Sequence, residues 1–106
     1  MPRSAPVTIL GIDPGLTRTG YGVIVADGSS FRCVTFGAVT PPAKASHPEK
    51  LIRIHEALTE VIRETHPQEV GIEDFILGYT RAAVAIGEAR AAAVLAAAQA
   101  GLPIAL

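Results

Sequence analysis

Hydrophobic and polar positions divide the chain into three short apolar runs, an amphipathic stretch, a fourth apolar run and a long alanine-rich segment. Residues 7–12 are apolar along nearly their whole length and read as a buried strand. That run ends on Asp13, followed at once by Pro14-Gly15, so a carboxylate is delivered to a strand end at a tight turn. Residues 21–26 are apolar again, which makes 13–20 the connection between two neighbouring strands, most simply an antiparallel pair. Asp27-Gly28-Ser29-Ser30 is a turn cluster, and residues 31–39, rich in β-branched and aromatic side chains, supply a third strand. Three strands joined by short turns read as an antiparallel meander. Pro41-Pro42 closes it, because proline cannot donate to a ladder and restricts its predecessor.

The period then changes from two to about 3.6 residues. Ser46 followed by Glu49 is a capping-box pattern, with Pro48 tolerated in the first turn. Leu51, Ile54, Leu58, Val61 and Ile62 recur at three-and-four spacing, which predicts an amphipathic helix lying on a sheet. Lys50, Arg53, Glu56, Glu60, Arg63 and Glu64 occupy the other face and read as solvated. His55 and His66 are read as part of the same surface, since no Cys or His stands at a metal-ligand spacing from either. Pro67 ends the helix, and residues 69–75 follow as a short strand that again finishes on acid.

Strand, helix, strand is the crossover unit, which returns the new strand parallel to an earlier one, here beside residues 7–12. Asp13 and Glu73 then share one edge of two adjacent parallel strands about 4.8 Å apart. Two such anions destabilise each other unless a cation sits between them, and hard divalent ions, Mg²⁺ or Mn²⁺, suit oxygen ligands. A plainer reading of Asp13, as a turn former whose side chain caps its own Pro-Gly turn, stays open.

Gly78-Tyr79-Thr80 leads into a long helix over residues 81–100, with Gly101 at C′ and Pro103 beyond it. Small residues such as Gly87, Ala91 and Ala92 would let this helix approach its neighbours closely on more than one face, although alanine also simply favours helix. Residues 102–106 begin a further strand, inside which the sequence stops. The expected architecture is a mixed five-stranded sheet in the order 3-2-1-4-5, strands 1 to 3 antiparallel and strands 4 and 5 parallel to strand 1, with helices packed on it.

Composition changes this picture little. A chain of 106 residues is one domain at most. Its mean hydropathy of +0.37 is high. Charges nevertheless interrupt every segment up to Arg90, and Gln99, Gly101 and Pro103 break the tail, so no membrane span is expected. The first residues lack the apolar core of a signal peptide and Cys33 is alone, which points to the cytoplasm. Nine basic and ten acidic residues give a net charge of -1, hence no overall electrostatic attraction to nucleic acid.

Positions 11–23, Gly-Ile-Asp-Pro-Gly-Leu-Thr-Arg-Thr-Gly-Tyr-Gly-Val, resemble the opening motif of RuvC-type crossover-junction endodeoxyribonucleases, of the ribonuclease H-like superfamily. His66-Pro67-Gln68-Glu69-Val70-Gly71-Ile72-Glu73 is similar to that family's second acidic segment, Gly87-Glu88-Ala89-Arg90 to its helix motif, and residues 96–103 to its run into the fifth strand. By this resemblance Asp13 and Glu73 match two of four catalytic, metal-binding acids, the other two belonging to a C-terminal helix beyond this sequence. The resemblance implies a single ribonuclease H-like nuclease domain over residues 1–106, truncated at its C-terminal end. It further implies two Mg²⁺ or Mn²⁺ ions in the complete site, four-way junction DNA as substrate in recombination and repair, and a homodimer working with junction-binding and branch-migration proteins. Phe75 or Tyr79 is similar in placement to an aromatic inserted among junction bases, and Arg81 is a candidate phosphate contact.

Three other classes share parts of the pattern. A ribonuclease H-like ribosomal-RNA processing nuclease has a similar Asp-x-Gly opening. Sugar-kinase and heat-shock ATPase folds use an Asp-x-Gly-x-Thr hairpin, which Asp13-Pro14-Gly15-Leu16-Thr17 satisfies locally, but they need a second half that this length cannot supply. The absence of two acids favours a non-catalytic dimerisation or DNA-binding relative.

Overall fold

The computed structural model describes residues 5–73 and 81–105, with the side chains of 81–83 left aside. Strands β1 (Val7–Asp13), β2 (Thr19–Asp27) and β3 (Ser30–Val39) are followed by helix α1 (His47–Thr65), β4 (Glu69–Ile72), helix α2 (Arg81–Gln99) and β5 (Ile104–Ala105). The sheet order is β3-β2-β1-β4-β5. β1, β2 and β3 pair antiparallel, while β4 runs parallel to β1 and β5 parallel to β4. The meander and both crossovers are therefore as expected.

Local chemistry accounts for the boundaries. Asp27 pairs with Ser30 across a two-residue turn whose first residue, Gly28, has φ 62°, a conformation that glycine adopts without the steric cost of a Cβ. β2 begins earlier than its apolar run suggests because Gly20 pairs with both Asp13 and Ala38. The Ser46 hydroxyl accepts from the Glu49 amide at 3.3 Å and caps α1. α1 stops at Thr65, ahead of Pro67, where His66 takes a left-handed cap (φ 48°) and its amide donates to the Ile62 carbonyl. α2 ends in a Schellman motif: Gly101 (φ 73°) donates to Ala98 and Leu102 to Ala97.

Leu10, Ile12, Val23, Val70 and Ile72 on one face of the sheet form a single core with Ile54, Leu58, Val61 and Ile62 of α1 and Ala89, Ala92, Ala93, Ala96 and Ala97 of α2. The five alanines follow helical spacing, so one small-residue stripe lets α2 approach both α1 and the sheet. Gly87 and Ala91 lie on the exposed side instead, and Ala92 is the member of the expected set that is buried. His55 also departs from its expected solvated role, since its Nε2 stands 2.8 Å from Oε1 of Gln99 and joins the two helices. His47 of α1 and Glu88 of α2 pair at 2.9 Å.

Candidate active site

Asp13 is the last residue of β1, and Glu73 directly follows β4. The parallel register sets Gly11 beside Gly71 and Ile12 beside Ile72, and the Glu73 amide extends the ladder by donating to the Ile12 carbonyl at 3.0 Å. Successive side chains of a strand point to opposite faces. Burial of Ile12 and Ile72 against the helices therefore turns Gly11, Asp13, Gly71 and Glu73 the other way, to the face on which no described helix packs.

There the two exposed carboxyl groups meet. The hydrogen bond from Glu73 to Asp13, aided by desolvation and by the negative charge of Asp13, holds the Glu73 carboxyl above the ordinary glutamate range. Two carboxylates forced together in this way retain a proton or take up a cation. Their oxygen donors fit a hard divalent ion of the Mg²⁺ or Mn²⁺ kind. Among the described residues no group of three or more His, Cys, Asp or Glu side chains gathers, so for a metal ion this pair would be only part of a ligand set.

The carboxylates rise from a floor without side chains. Gly22, Gly11 and Gly71 stand side by side across β2, β1 and β4 and line a shallow cleft of ≈ 380 Å³ together with Asp13, Gly20 and Glu73. A Cβ added at Gly71 would meet nothing within 4 Å, and one at Gly11 would come no closer than 3.9 Å to the Gly22 carbonyl. These glycines thus keep space open above the sheet beside the two acids. Sequence reasoning passed over them, although the triplet Gly-Ile-acid occurs at both 11–13 and 71–73. A larger groove of ≈ 460 Å³ lies between α1 and α2, with Ile52, Ala92 and Leu95 in its walls. It belongs to the helical layer, away from the carboxylates.

In the connection from Pro14 to Arg18, the Gly15 amide that a capping Asp13 would engage is taken by another side chain. The Thr19 hydroxyl bonds the Gly15 backbone in this turn, accepting from its amide at 3.2 Å and donating to its carbonyl at 2.7 Å. The Asp13 carboxylate is thereby left to face Glu73. Of the other candidates, Phe75 and Tyr79 lie outside the described residues, and so does the side chain of Arg81, whose backbone opens α2.

Residues 9–106 match the family described as crossover junction endodeoxyribonuclease RuvC. The chain belongs to this family. It is 45% identical over 100 residues to the RuvC of Maricaulis maris, covering 93% of this chain and 60% of that one. With the RuvC of Caulobacter vibrioides it shares 41% over 101 residues, again covering 60% of that protein. Thermus thermophilus RuvC, solved in complex with a Holliday junction substrate, superposes with a TM-score of 0.86 at 30% identity, over 92% of this chain and 61% of that one. The chain thus spans about three-fifths of the length of these relatives. The mixed sheet expected from the residues, and the ribonuclease H-like fold that the family resemblance implied, are those of the RuvC structures.

Proposed function

We propose that this chain is the greater part of a divalent-metal-dependent endodeoxyribonuclease that resolves four-way (Holliday) DNA junctions in recombination and repair. The observation that carries the proposal is the convergence of Asp13 and Glu73 on the open sheet face, above a glycine floor, in a member of the RuvC family. Residues 1–106 fall within one ribonuclease H-like domain and span about three-fifths of the length of the relatives, and two further acids outside this span would complete the ligand set.

Asp13, on the central strand, and Glu73 would hold the Mg²⁺ or Mn²⁺ ions through their carboxylate oxygens. When bound, such an ion pair supplies an activated water for in-line attack on a phosphodiester and stabilises the leaving oxygen. The chain's own part is to hold two carboxylates in register through the β1–β4 ladder and to leave the floor clear for the nucleic-acid backbone. Phe75 or Tyr79 stacks on an unpaired junction base and Arg81 meets a phosphate, which would offset the near-neutral overall charge.

A homodimer places two such sites on the two opposed strands of a junction. Ile52, Val84 and Leu95, each more than half exposed on the helical layer, offer apolar surface that a second copy could cover. Junction-binding and branch-migration proteins are the expected partners, and the cytoplasm the expected location. No described helix is long and apolar enough to cross a membrane.

A labelled four-way junction in a gel assay tests the reading. The 106-residue chain should bind metal without cleaving, whereas a form extended to the full length of its relatives should cleave with paired symmetrical nicks. Asp13→Asn in the extended form should lower cleavage by more than about 100-fold, beyond what loss of an outer-shell partner costs, and leave junction binding largely intact. Undiminished cleavage by that variant would show that the assignment is wrong.

A further inference from the structure

We propose that Thr19 is a positioning residue for Asp13, its hydroxyl fixing the turn that holds the carboxylate against Glu73. The proposal rests on the reading of Asp13 and Glu73 as a divalent-cation site and names the device that keeps the site assembled.

Thr19 is the buried polar side chain of the described core, with no exposure at all. A buried hydroxyl is costly unless it is bonded, and this one uses both its donor and its acceptor capacity on a single residue, Gly15. Gly15 stands two positions after Asp13 in a turn so tight that a Cβ there would overlap the Arg18 carbonyl oxygen.

The place of this clamp follows from the ladder. Pairing between β1 and β2 ends at Asp13 and Gly20, and beyond it Thr19 pairs only with Val39 of β3. On the other side of β1, the last bond among the described residues is that from the Glu73 amide to Ile12. Asp13 is therefore the terminal rung, and strand ends fray unless something secures them. Buried Pro14 and partly buried Leu16, packed on the core, hold the turn by contact. Among the described residues the Thr19 hydroxyl alone holds the Gly15 amide and carbonyl by directed bonds, so it limits how far the Asp13 main chain can turn its carboxylate away from Glu73.

The test uses Mn²⁺ as the probe, titrated into the 106-residue chain and followed by electron paramagnetic resonance of the free ion, with melting curves recorded beside it. Thr19→Val keeps the shape and deletes the hydroxyl, and should weaken Mn²⁺ binding by about 10-fold, at the lower end of what outer-shell partners of metal ligands contribute. Thr19→Ser keeps the hydroxyl and should restore affinity close to that of the unaltered chain, even where loss of the methyl lowers the melting temperature. Affinity that follows melting temperature instead of the hydroxyl, or Thr19→Val binding as tightly as the unaltered chain while Asp13→Asn does not bind, overturns the positioning role. Unchanged Mn²⁺ binding by Asp13→Asn would overturn the carboxylate site itself, and the positioning role with it.

Should Thr19→Val fail to fold, the unaltered chain still decides. If the clamp and the cation site are coupled, saturating Mg²⁺ must slow hydrogen exchange at the Gly15 amide, by the reciprocity of linked equilibria. Exchange at Gly15 indifferent to Mg²⁺ overturns the proposal.

Discussion

The two faces of the sheet are built from the same strands and do opposite work. Toward the helices, Leu10, Ile12, Val70 and Ile72 are almost wholly buried and make the centre of the core. Toward the other side, their immediate neighbours Gly11, Asp13, Gly71 and Glu73 carry either no side chain or a carboxylate. Stability on the first face comes from apolar area removed from water, whereas the second gains little from packing and holds two like charges together. Because a strand alternates residue by residue, the acids need no scaffold of their own. The packing of Ile12 and Ile72 aims them.

The largest effect expected from this division is on the core side. Leu10→Ala should cost about 2–5 kcal/mol in urea unfolding, through lost transfer energy and a cavity against α1 and α2. The Mn²⁺ affinity of the folded fraction should stay unchanged, and a parallel fall in both would show that the faces are not independent.

Asp13→Asn is the reciprocal change. It should weaken Mn²⁺ binding by more than about 100-fold, since it removes a ligand rather than a partner of one. Stability in EDTA should hold or rise, because the substitution relieves a like-charge contact. A marked loss of stability without metal would mean that Asp13 serves the fold.

Gly71→Val sharpens the comparison further. Glycine in a strand costs roughly 0.5–1 kcal/mol relative to alanine, and a Cβ here meets open space, so the variant should be as stable as the parent or slightly more so. Junction binding by the extended protein should weaken, because the new side chain stands on the floor beside Glu73. Gain of stability together with unimpaired binding would remove the floor from the proposed DNA path.

The smallest effect is a pH dependence confined to the acidic face. The folded chain holds the Glu73 carboxyl above the ordinary range, so the native state binds that proton more tightly than the unfolded chain does. The contribution is fully present below the unfolded glutamate pKa of about 4.3 and is lost as pH rises through the raised native value. Melting temperature in EDTA should therefore show a small decrement over that window, absent in Glu73→Gln. A cation bound to the two ionised groups should reverse its sign.

Much of this was legible along the chain. The apolar runs, the Ser46 cap, the Gly101 terminus and the strand–helix–strand order predicted five strands and their arrangement, because each of these signals is local. Both acids stood out for the same reason: a carboxylate that closes an apolar run has few structural uses. The family resemblance then assigned them a chemistry that spacing alone could not.

Other features needed the fold. Pairing of β1 with β4 joins segments far apart in sequence, and a slip of one residue would send every side chain to the opposite face. Only the observed register places Gly11 beside Gly71 and puts Glu73 on the same side as Asp13. The contact of His55 with Gln99 depends on how α1 and α2 cross, and the sequence offers a histidine among charges with no sign of its partner. Thr19 is the clearest case: along the chain it is one threonine in a polar turn, and in the folded protein it is a buried hydroxyl bonded to both polar groups of Gly15. By itself the sequence determined which elements form, in what order, and where the two acids fall within them, since propensity, periodicity and caps act over a few residues. The tertiary structure decided which side chains face each other, because register and helix packing are set by burying one continuous apolar face, a condition that no single segment contains.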